Sequence, residues 1–218
     1  MKKLTQKIKG LKKTTKVDFA TYLGVVLAFA AVTLLGRLGL LNRSLTGMLV
    51  PICAYIVMAV SLNLTVGILG ELSLGHAGFM SVGAFSGVIA AQSLQASIPS
   101  APVRLAVAIL VGAVFASAAG FIVGVPVLRL RGDYLAIVTL AFGEIIKELI
   151  NCLLVGYDSR GLHMAFNING SLTISDLGLE PEGIAIIKGA QGATGTTTIA
   201  TFTAGFILIM ITLVIVLN

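Results

Sequence analysis

Residues 61–91 read SLNLTVGILGELSLGHAGFMSVGAFSGVIAA, a stretch long enough to enter a membrane twice. Glycine interrupts it repeatedly, at Gly67, Gly70, Gly75, Gly78, Gly83 and Gly87. The same stretch contains one carboxylate, Glu71, and one imidazole, His76. Irregular backbone and ionisable side chains at membrane depth are tolerated where protein or a water-filled path surrounds them. The stretch therefore predicts part of a route for a solute rather than a lipid anchor.

The composition indicates an integral membrane protein. Of 218 residues, 57% are hydrophobic and 11% are charged, which is too little charge to cover a soluble domain. The net charge of +6 is concentrated before the first apolar run, at Lys2, Lys3, Lys7, Lys9, Lys12, Lys13 and Lys16. A basic arm at a membrane edge favours a cytoplasmic tail, residues 1–17, that lies against anionic lipid. Nothing in the chain favours nucleic-acid binding.

The apolar runs predict an all-α, polytopic membrane protein with about six spans. They lie near 19–36, 45–69, 72–92, 104–128, 134–155 and 199–217, and the third is broken by its glycines. The membrane-spanning domain then covers 18–218, with the N-terminus inside and an external loop at 156–198. The sequence Ala28-Phe29-Ala30 also resembles a signal-peptide cleavage site, but the apolar run continues to Leu35, which favours a retained helix.

The loop at 156–198 contains glycine, asparagine and threonine, together with a mild excess of acidic residues. This content predicts turns with one short helix around 173–188. A docking surface for an external protein and a simple connector both fit the loop at this stage.

Small residues recur at every fourth position in three of the predicted spans. The sets are Ala20, Gly24 and Ala28; Gly83, Gly87 and Ala91; and Gly112, Ala116, Gly120 and Gly124. This spacing puts each set on one helix face, where the small side chains allow the backbones of two helices to approach closely. We interpret the sets mainly as packing surfaces, with space for a substrate or a hinge as the alternative.

No pattern in the chain predicts an enzyme, a metal site or a cofactor. Ser73 and His76 are three residues apart, but no nucleophile elbow, zinc-binding H-E-x-x-H or phosphate-binding loop occurs. Cys53 and Cys152 have apolar neighbours and no metal-ligand spacing, which favours buried free thiols.

Two groups of ionisable residues have more than one interpretation. Glu71 and His76 fit either the inner membrane interface or the edge of a permeation path. Glu144 and Lys147 are three residues apart and can pair on one helix face, with Glu148 beside them. A structural ion pair is favoured for Glu144 and Lys147 over direct contact with a solute.

Two stretches resemble the membrane permease of branched-chain amino acid ABC importers, the LivM type. They are NLTVGILGELSLGHAGFMSVGAF at 63–85 and LRLRGDYLAIVTLAFGEIIKELI at 128–150. From the first, the resemblance suggests a translocation path at Asn63, Gly67, Gly70, Glu71, Ser73, Gly75, His76, Phe79 and Gly83. From the second, it suggests an inner-face and fifth-span motif at Arg131, Gly132, Tyr134, Thr139, Glu144 and Lys147.

The resemblance implies a transport subunit that works by alternating access and is itself no enzyme. Its partners would be a homologous second permease subunit, two cytoplasmic ATPase subunits, an external solute-binding protein and the lipid bilayer. A urea or short-amide permease is the alternative substrate class. The family's cytoplasmic coupling stretch and further spans are absent after 218, so we expect a C-terminally truncated permease. A non-transporting membrane fragment or interaction subunit is the alternative of another class.

Overall fold

The computed structural model describes residues 2–70, 73–127, 129–130 and 132–217, with side chains from residue 19 onward except those of residues 68 and 69. The described helices are α1 (Lys2–Arg37), α2 (Arg43–Asn63), α3 (His76–Ser93), α4 (Ala101–Val127), α5 (Asp133–Asn151) and α6 (Phe202–Leu217). They form two compact units, one of residues 1–64 with 200–218 and the other of residues 65–199. The predicted helical fold class is confirmed, and the second unit also contains a small sheet.

The first unit packs α6 against α2 and α1. Cys53 is buried with Ile209 and Leu213, and a β-carbon added to Gly205 would lie 2.7 Å from the Cys53 β-carbon. Phe29 of α1 stacks on two rings of α6, with centroid distances of 5.0 Å to Phe202 and 4.0 Å to Phe206. The free thiol of Cys53 is therefore a packing group, as the sequence predicts, whereas the free Cys152 is only half-buried.

The second unit begins with the break that the glycines predict. After α2, residues Leu64–Leu69 form a π-helical turn, and Gly70 has a φ of +71° that favours glycine. Regular helix resumes only at His76, so the predicted third span begins four residues later than its predicted start at 72. The break is confirmed over the described residues, while Glu71 and Leu72 lie outside them.

Small residues bring α3 and α4 into close contact, which confirms the packing interpretation for this pair of helices. A β-carbon on Gly83 would lie 3.3 Å from both the Ala116 β-carbon and the Gly112 carbonyl oxygen. One on Gly87 would lie 3.1 Å from the carbonyl oxygen of Ala108. The interpretation is not confirmed for three other glycines of the sets, around which the described structure leaves open space: Gly24, Gly120 and Gly124.

A three-stranded antiparallel sheet follows α5 and was not predicted. Its strands β1 (Leu153–Asp158), β2 (Gly161–Phe166) and β3 (Ile184–Lys188) have the order β2-β1-β3. Val155, Ile186 and Ile187 are fully buried against α3 side chains at Phe85, Val88 and Ile89. The sheet is therefore part of the second unit's core.

The sheet corrects two predictions. The helix expected around 173–188 is wrong, since that range holds one 3₁₀ turn, Ile174–Leu177, and then β3. The fifth span, expected to reach 155, ends at Asn151, because the residues that follow pair with β2 and β3 instead of continuing the helix. The cause in both cases is pairing between distant residues, which local composition does not reveal.

Three described helical stretches are long and apolar enough to cross a membrane by length and composition: Phe19–Arg37, Arg43–Gly67 and Ala101–Val127. The apolar α6 is shorter, at 16 residues. Helix α5 contains Asp133, Glu144, Lys147 and Glu148. Charged side chains in a membrane helix usually face protein or water rather than lipid. Helix α5 therefore has an ionisable surface that the three candidate spans largely lack.

Candidate functional site

The two sequence motifs meet where α3 crosses α5. A β-carbon added to Gly75 would lie 2.5 Å from the carbonyl oxygen of Thr139, and one on Gly78 would lie 2.9 Å from the Gly143 α-carbon. The backbone N–H of Leu74 donates a hydrogen bond to Thr139 Oγ1 at 3.1 Å. Thr139 is buried, and its hydroxyl donates to the carbonyl of Ala136 at 3.0 Å. The beginning of α3 is thereby fixed to α5 by backbone contact.

A groove of about 350 Å³ runs along this crossing. Its walls come from α3, α5 and the turn after β3, and its lining residues are Leu74, Ala77, Gly78, Ser81, Phe85, Leu140, Gly143, Glu144, Lys147, Ile150, Asn151, Gly189, Ala190 and Gly192. Gly75 faces Thr139 and Gly78 faces Gly143, so α3 and α5 run in the same direction along the groove. Most of the wall is apolar, and the polar groups lie mainly on α5.

Two charged side chains, Glu144 and Lys147, line one edge of the groove. Glu148 lies beside Lys147 but is not among the lining residues, and we call the three side chains together the charged rim. Lys147 pairs with Glu144, as the spacing predicts, and its Nζ lies 4.0 Å from Glu148 Oε1. The three side chains are 59–63% exposed in the single chain. Two carboxylates and one ammonium give the charged rim a formal charge of −1 at neutral pH. An apolar groove with a charged edge suits a small ligand that has both an apolar and an ionic part.

Some of the residues predicted from the first motif lie at the crossing of α3 and α5, and the others lie elsewhere. Gly75 is buried at the crossing, His76 begins α3, and Gly83 contacts α4. Phe79 packs on the buried cluster of Val123, Val127 and Leu135. The remaining described residues of this set are not among those lining the groove: Asn63, Gly67, Gly70 and Ser73. Glu71 lies outside the described residues.

The residues predicted from the second motif divide in the same way. Thr139 is buried at the crossing, and Glu144 and Lys147 line the groove. Gly132 precedes α5 with a φ of +62°, and Tyr134 is 74% exposed and lies apart from the groove lining. Arg131 lies outside the described residues.

Some groove residues were missed by the sequence prediction. Ala77, Ser81 and Phe85 follow one another at intervals of four on α3, a spacing that places them on one helix face and could have revealed them. The turn at Gly189–Gly192 has no such signal, because only the sheet brings it next to the end of α5. There, a β-carbon on Gly189 would lie 2.8 Å from the carbonyl oxygen of Asn151.

A second charged cluster, in the sheet, has a structural role. The Asp158 side chain is 1% exposed and accepts hydrogen bonds from the backbone N–H of Arg160 at 2.9 Å and from the Arg160 guanidinium at 3.1 Å. His163 Nε2 lies 3.0 Å from Asp158 Oδ1, and the backbone N–H of Glu180 donates a hydrogen bond to Asp158 Oδ2 at 3.3 Å. Burial raises the pKa of the Asp158 carboxyl, but the hydrogen bonds from Arg160, Glu180 and His163 outweigh burial and lower the pKa to about 2.

This network predicts acid lability of the sheet. Because the pKa of Asp158 is lower in the folded chain than its usual 3.8, its contribution to stability is complete above that value and is lost as the pH falls toward about 2. We expect the protection factors of β1 and β2 amides in hydrogen–deuterium exchange, taken relative to the intrinsic exchange rate at each pH, to fall over this window in the native chain. Asp158→Asn should lower the protection of both strands already at pH 6 and weaken the dependence of that protection on pH. The exposed Glu182→Gln variant is the control, and equal profiles for Asp158→Asn and the native chain would contradict the role.

Comparison with known proteins gives a family and two relatives. The family described as the branched-chain amino acid transport system / permease component matches residues 44–218. The high-affinity branched-chain amino acid transport system permease protein LivM of Escherichia coli (strain K12) is 41% identical over 100 residues, which cover 44% of this chain and 21% of that protein. The protein of the same name from Salmonella typhimurium (strain LT2) is 46% identical over 96 residues, with the same shares. The chain thus matches about a fifth of the length of these relatives. No solved structure matches the chain.

Proposed function

Because this chain belongs to the family of branched-chain amino acid transport permease components, matched over residues 44–218, we propose that it is a membrane-spanning subunit of an ATP-driven importer for leucine, isoleucine and valine. Both similar LivM proteins are named as high-affinity permeases of branched-chain amino acid transport. The chain's own part would be to form the translocation path, and it would carry out no catalysis.

The observation that carries this proposal is the groove between α3 and α5. Its two long walls come from the same two motifs that resemble the family, and they meet through Gly75, Gly78 and Thr139. The apolar wall suits a branched aliphatic side chain, and the charged rim suits the ionic groups of a free amino acid. Urea is neutral and has no apolar part, so the groove offers it little complementarity. The lining therefore supports an amino acid over a short amide.

The proposed assembly places residues 1–17 in the cytoplasm and the sheet outside. The lysine-rich start supports this orientation, since basic segments favour the cytoplasmic side. Within the permease domain, 18–218, the segment 156–198 would then face an external solute-binding protein. A homologous second permease and two ATPase subunits complete the importer, and ATP-driven closure would shift the helices between outward-open and inward-open arrangements.

The proposal is tested by uptake in cells that lack their own branched-chain amino acid importers. The chain is expressed with a second permease, ATPase subunits and a binding protein of a branched-chain amino acid importer from the same organism, and radiolabelled leucine and urea are supplied in parallel. We expect leucine to accumulate and urea to remain at the level of cells without the chain. Accumulation of urea alone would establish the alternative substrate. Accumulation of neither, in cells where all subunits reach the membrane, would refute a transport role.

A further inference from the structure

The charged rim needs an explanation that the packing of the chain does not supply. Glu144, Lys147 and Glu148 are more than half exposed, although they belong to a helix of a membrane protein. Glu144 lies seven residues before the end of α5, roughly 10 Å along the helix axis. Ionic groups are costly on any surface of a membrane protein that faces lipid. They are therefore expected to face water or a ligand in the groove that Glu144 and Lys147 line.

We infer that the charged rim binds the α-ammonium and α-carboxylate groups of the transported amino acid, an inference that rests on the proposed function. Glu144 accepts hydrogen bonds from the ammonium, and Lys147 donates to the carboxylate. When the zwitterion binds, Glu144 and Lys147 exchange their pairing with each other for pairing with the ligand. Each charged group therefore has a partner of opposite charge both before and after binding. The side chain of the amino acid lies along the apolar wall formed by Leu74, Phe85 and Leu140.

The net charge of the charged rim predicts which charged group of a ligand it favours. Glu148 lies 4.0 Å from Lys147 and gives the rim a second carboxylate, so the rim has a net formal charge of −1. Such a site attracts an ammonium group and repels a ligand whose only charge is a carboxylate. Ser81 and Asn151, which also line the groove, offer neutral hydrogen-bonding groups beside the rim. We therefore expect the affinity of the groove to be highest for the zwitterion, lower for the amine and lowest for the carboxylate.

Equilibrium binding of radiolabelled leucine tests this order. Membranes containing the chain with its partner subunits, but without the external binding protein, are used so that only the permease selects. The competitors are 3-methylbutylamine, which is leucine without its carboxylate, and 4-methylpentanoate, which is leucine without its ammonium. For the native chain we expect leucine to compete best, the amine next and the carboxylate least.

Variants of the rim should change this order in opposite ways. Glu144→Gln should weaken leucine binding about five- to tenfold and remove the advantage of the amine over the carboxylate. Lys147→Met should remove the advantage of leucine over the amine. Glu182→Gln, an exposed carboxylate away from the groove, is the matched control and should leave both the affinity and the order unchanged. The amount of each variant in the membrane is measured alongside.

The outcomes separate this inference from the proposed function. If the native chain supports leucine uptake but the order of competitors is the same in all variants, the rim does not bind the zwitterion and the transport role stands. A merely structural ion pair would lower the amount of folded protein without changing the order, and that result also overturns the inference. If the native chain supports no leucine uptake and binds no leucine, both proposals fail.

Discussion

Replacement of Gly75 by alanine is expected to abolish leucine uptake and to reduce the amount of folded chain in the membrane. The added methyl group would lie 2.5 Å from the carbonyl oxygen of Thr139 and 3.1 Å from its carbonyl carbon. Both are backbone atoms of α5, so no side-chain rotation relieves the contact, and the start of α3 must move away from α5. Overpacking of this kind costs roughly 1–3 kcal/mol of folding free energy. The same movement would break the hydrogen bond from Leu74 to Thr139 and open the groove.

The measurement is leucine uptake normalised to the amount of chain, together with the thermal stability of the detergent-extracted protein. Gly24→Ala is the control, because the structure leaves open space around Gly24 and alanine favours its helix. We expect the control to behave like the native chain. Normal uptake and stability in Gly75→Ala would show that α3 and α5 are not in the contact described here.

The second large effect is expected at Gly112, in the middle of α4. Its added methyl group would lie 2.5 Å from the carbonyl oxygen of Gly83, again a backbone atom. The overpacking cost of roughly 1–3 kcal/mol exceeds the gain of about 1 kcal/mol that alanine brings over glycine in a helix interior. We therefore expect Gly112→Ala to lower the melting temperature and to loosen the pairing of α3 with α4.

Gly120→Ala is a matched control on the same helix. Gly120 belongs to the same four-residue repeat as Gly112, yet the described structure has nothing within 4 Å of its added β-carbon. Only the helix-propensity gain applies there, so the melting temperature should stay level or rise. Thermal unfolding of both variants, followed by intrinsic tyrosine fluorescence, makes the comparison. Equal losses of stability would mean that the contact of Gly112 with Gly83 does not cause the loss.

This pair of glycines also shows how far the sequence can predict the fold. The four-residue spacing correctly predicts a packing face on α3 and α4, but it does not distinguish Gly112 from Gly120. That distinction depends on where the two helices cross and diverge, which is set by side chains on both. The break near Gly70 was predictable because a glycine-rich stretch with ionisable groups is a poor continuous membrane helix.

The candidate site was predictable from the sequence only where it depends on local spacing. Glu144 and Lys147 are neighbours on one helix turn, so their pairing follows from local spacing, and the structure confirms it. The groove that they line depends on Leu74 and Phe85 from α3 and on the turn at Gly189–Gly192, which are brought near α5 by helix crossing and strand pairing. The sheet was missed because apolar residues continue from Leu149 and Ile150 of α5 into β1, with only Asn151 and Cys152 between Ile150 and the first residue of the strand. The pairing of Leu154 with Lys188 and of Val155 with Ile187 has no local signal in those residues.

We propose that a branched-chain amino acid occupies the groove between α3 and α5 during transport. Ala77 is exposed and lines this groove, so Ala77→Cys places a reactive thiol on its wall. The rate of maleimide labelling is measured in membranes containing the full importer, with Ser175→Cys, exposed in the 3₁₀ turn, as the control. We predict that leucine slows labelling at position 77 and leaves position 175 unchanged, while urea affects neither. Labelling of position 77 at the same rate with and without leucine would show that leucine does not occupy the groove.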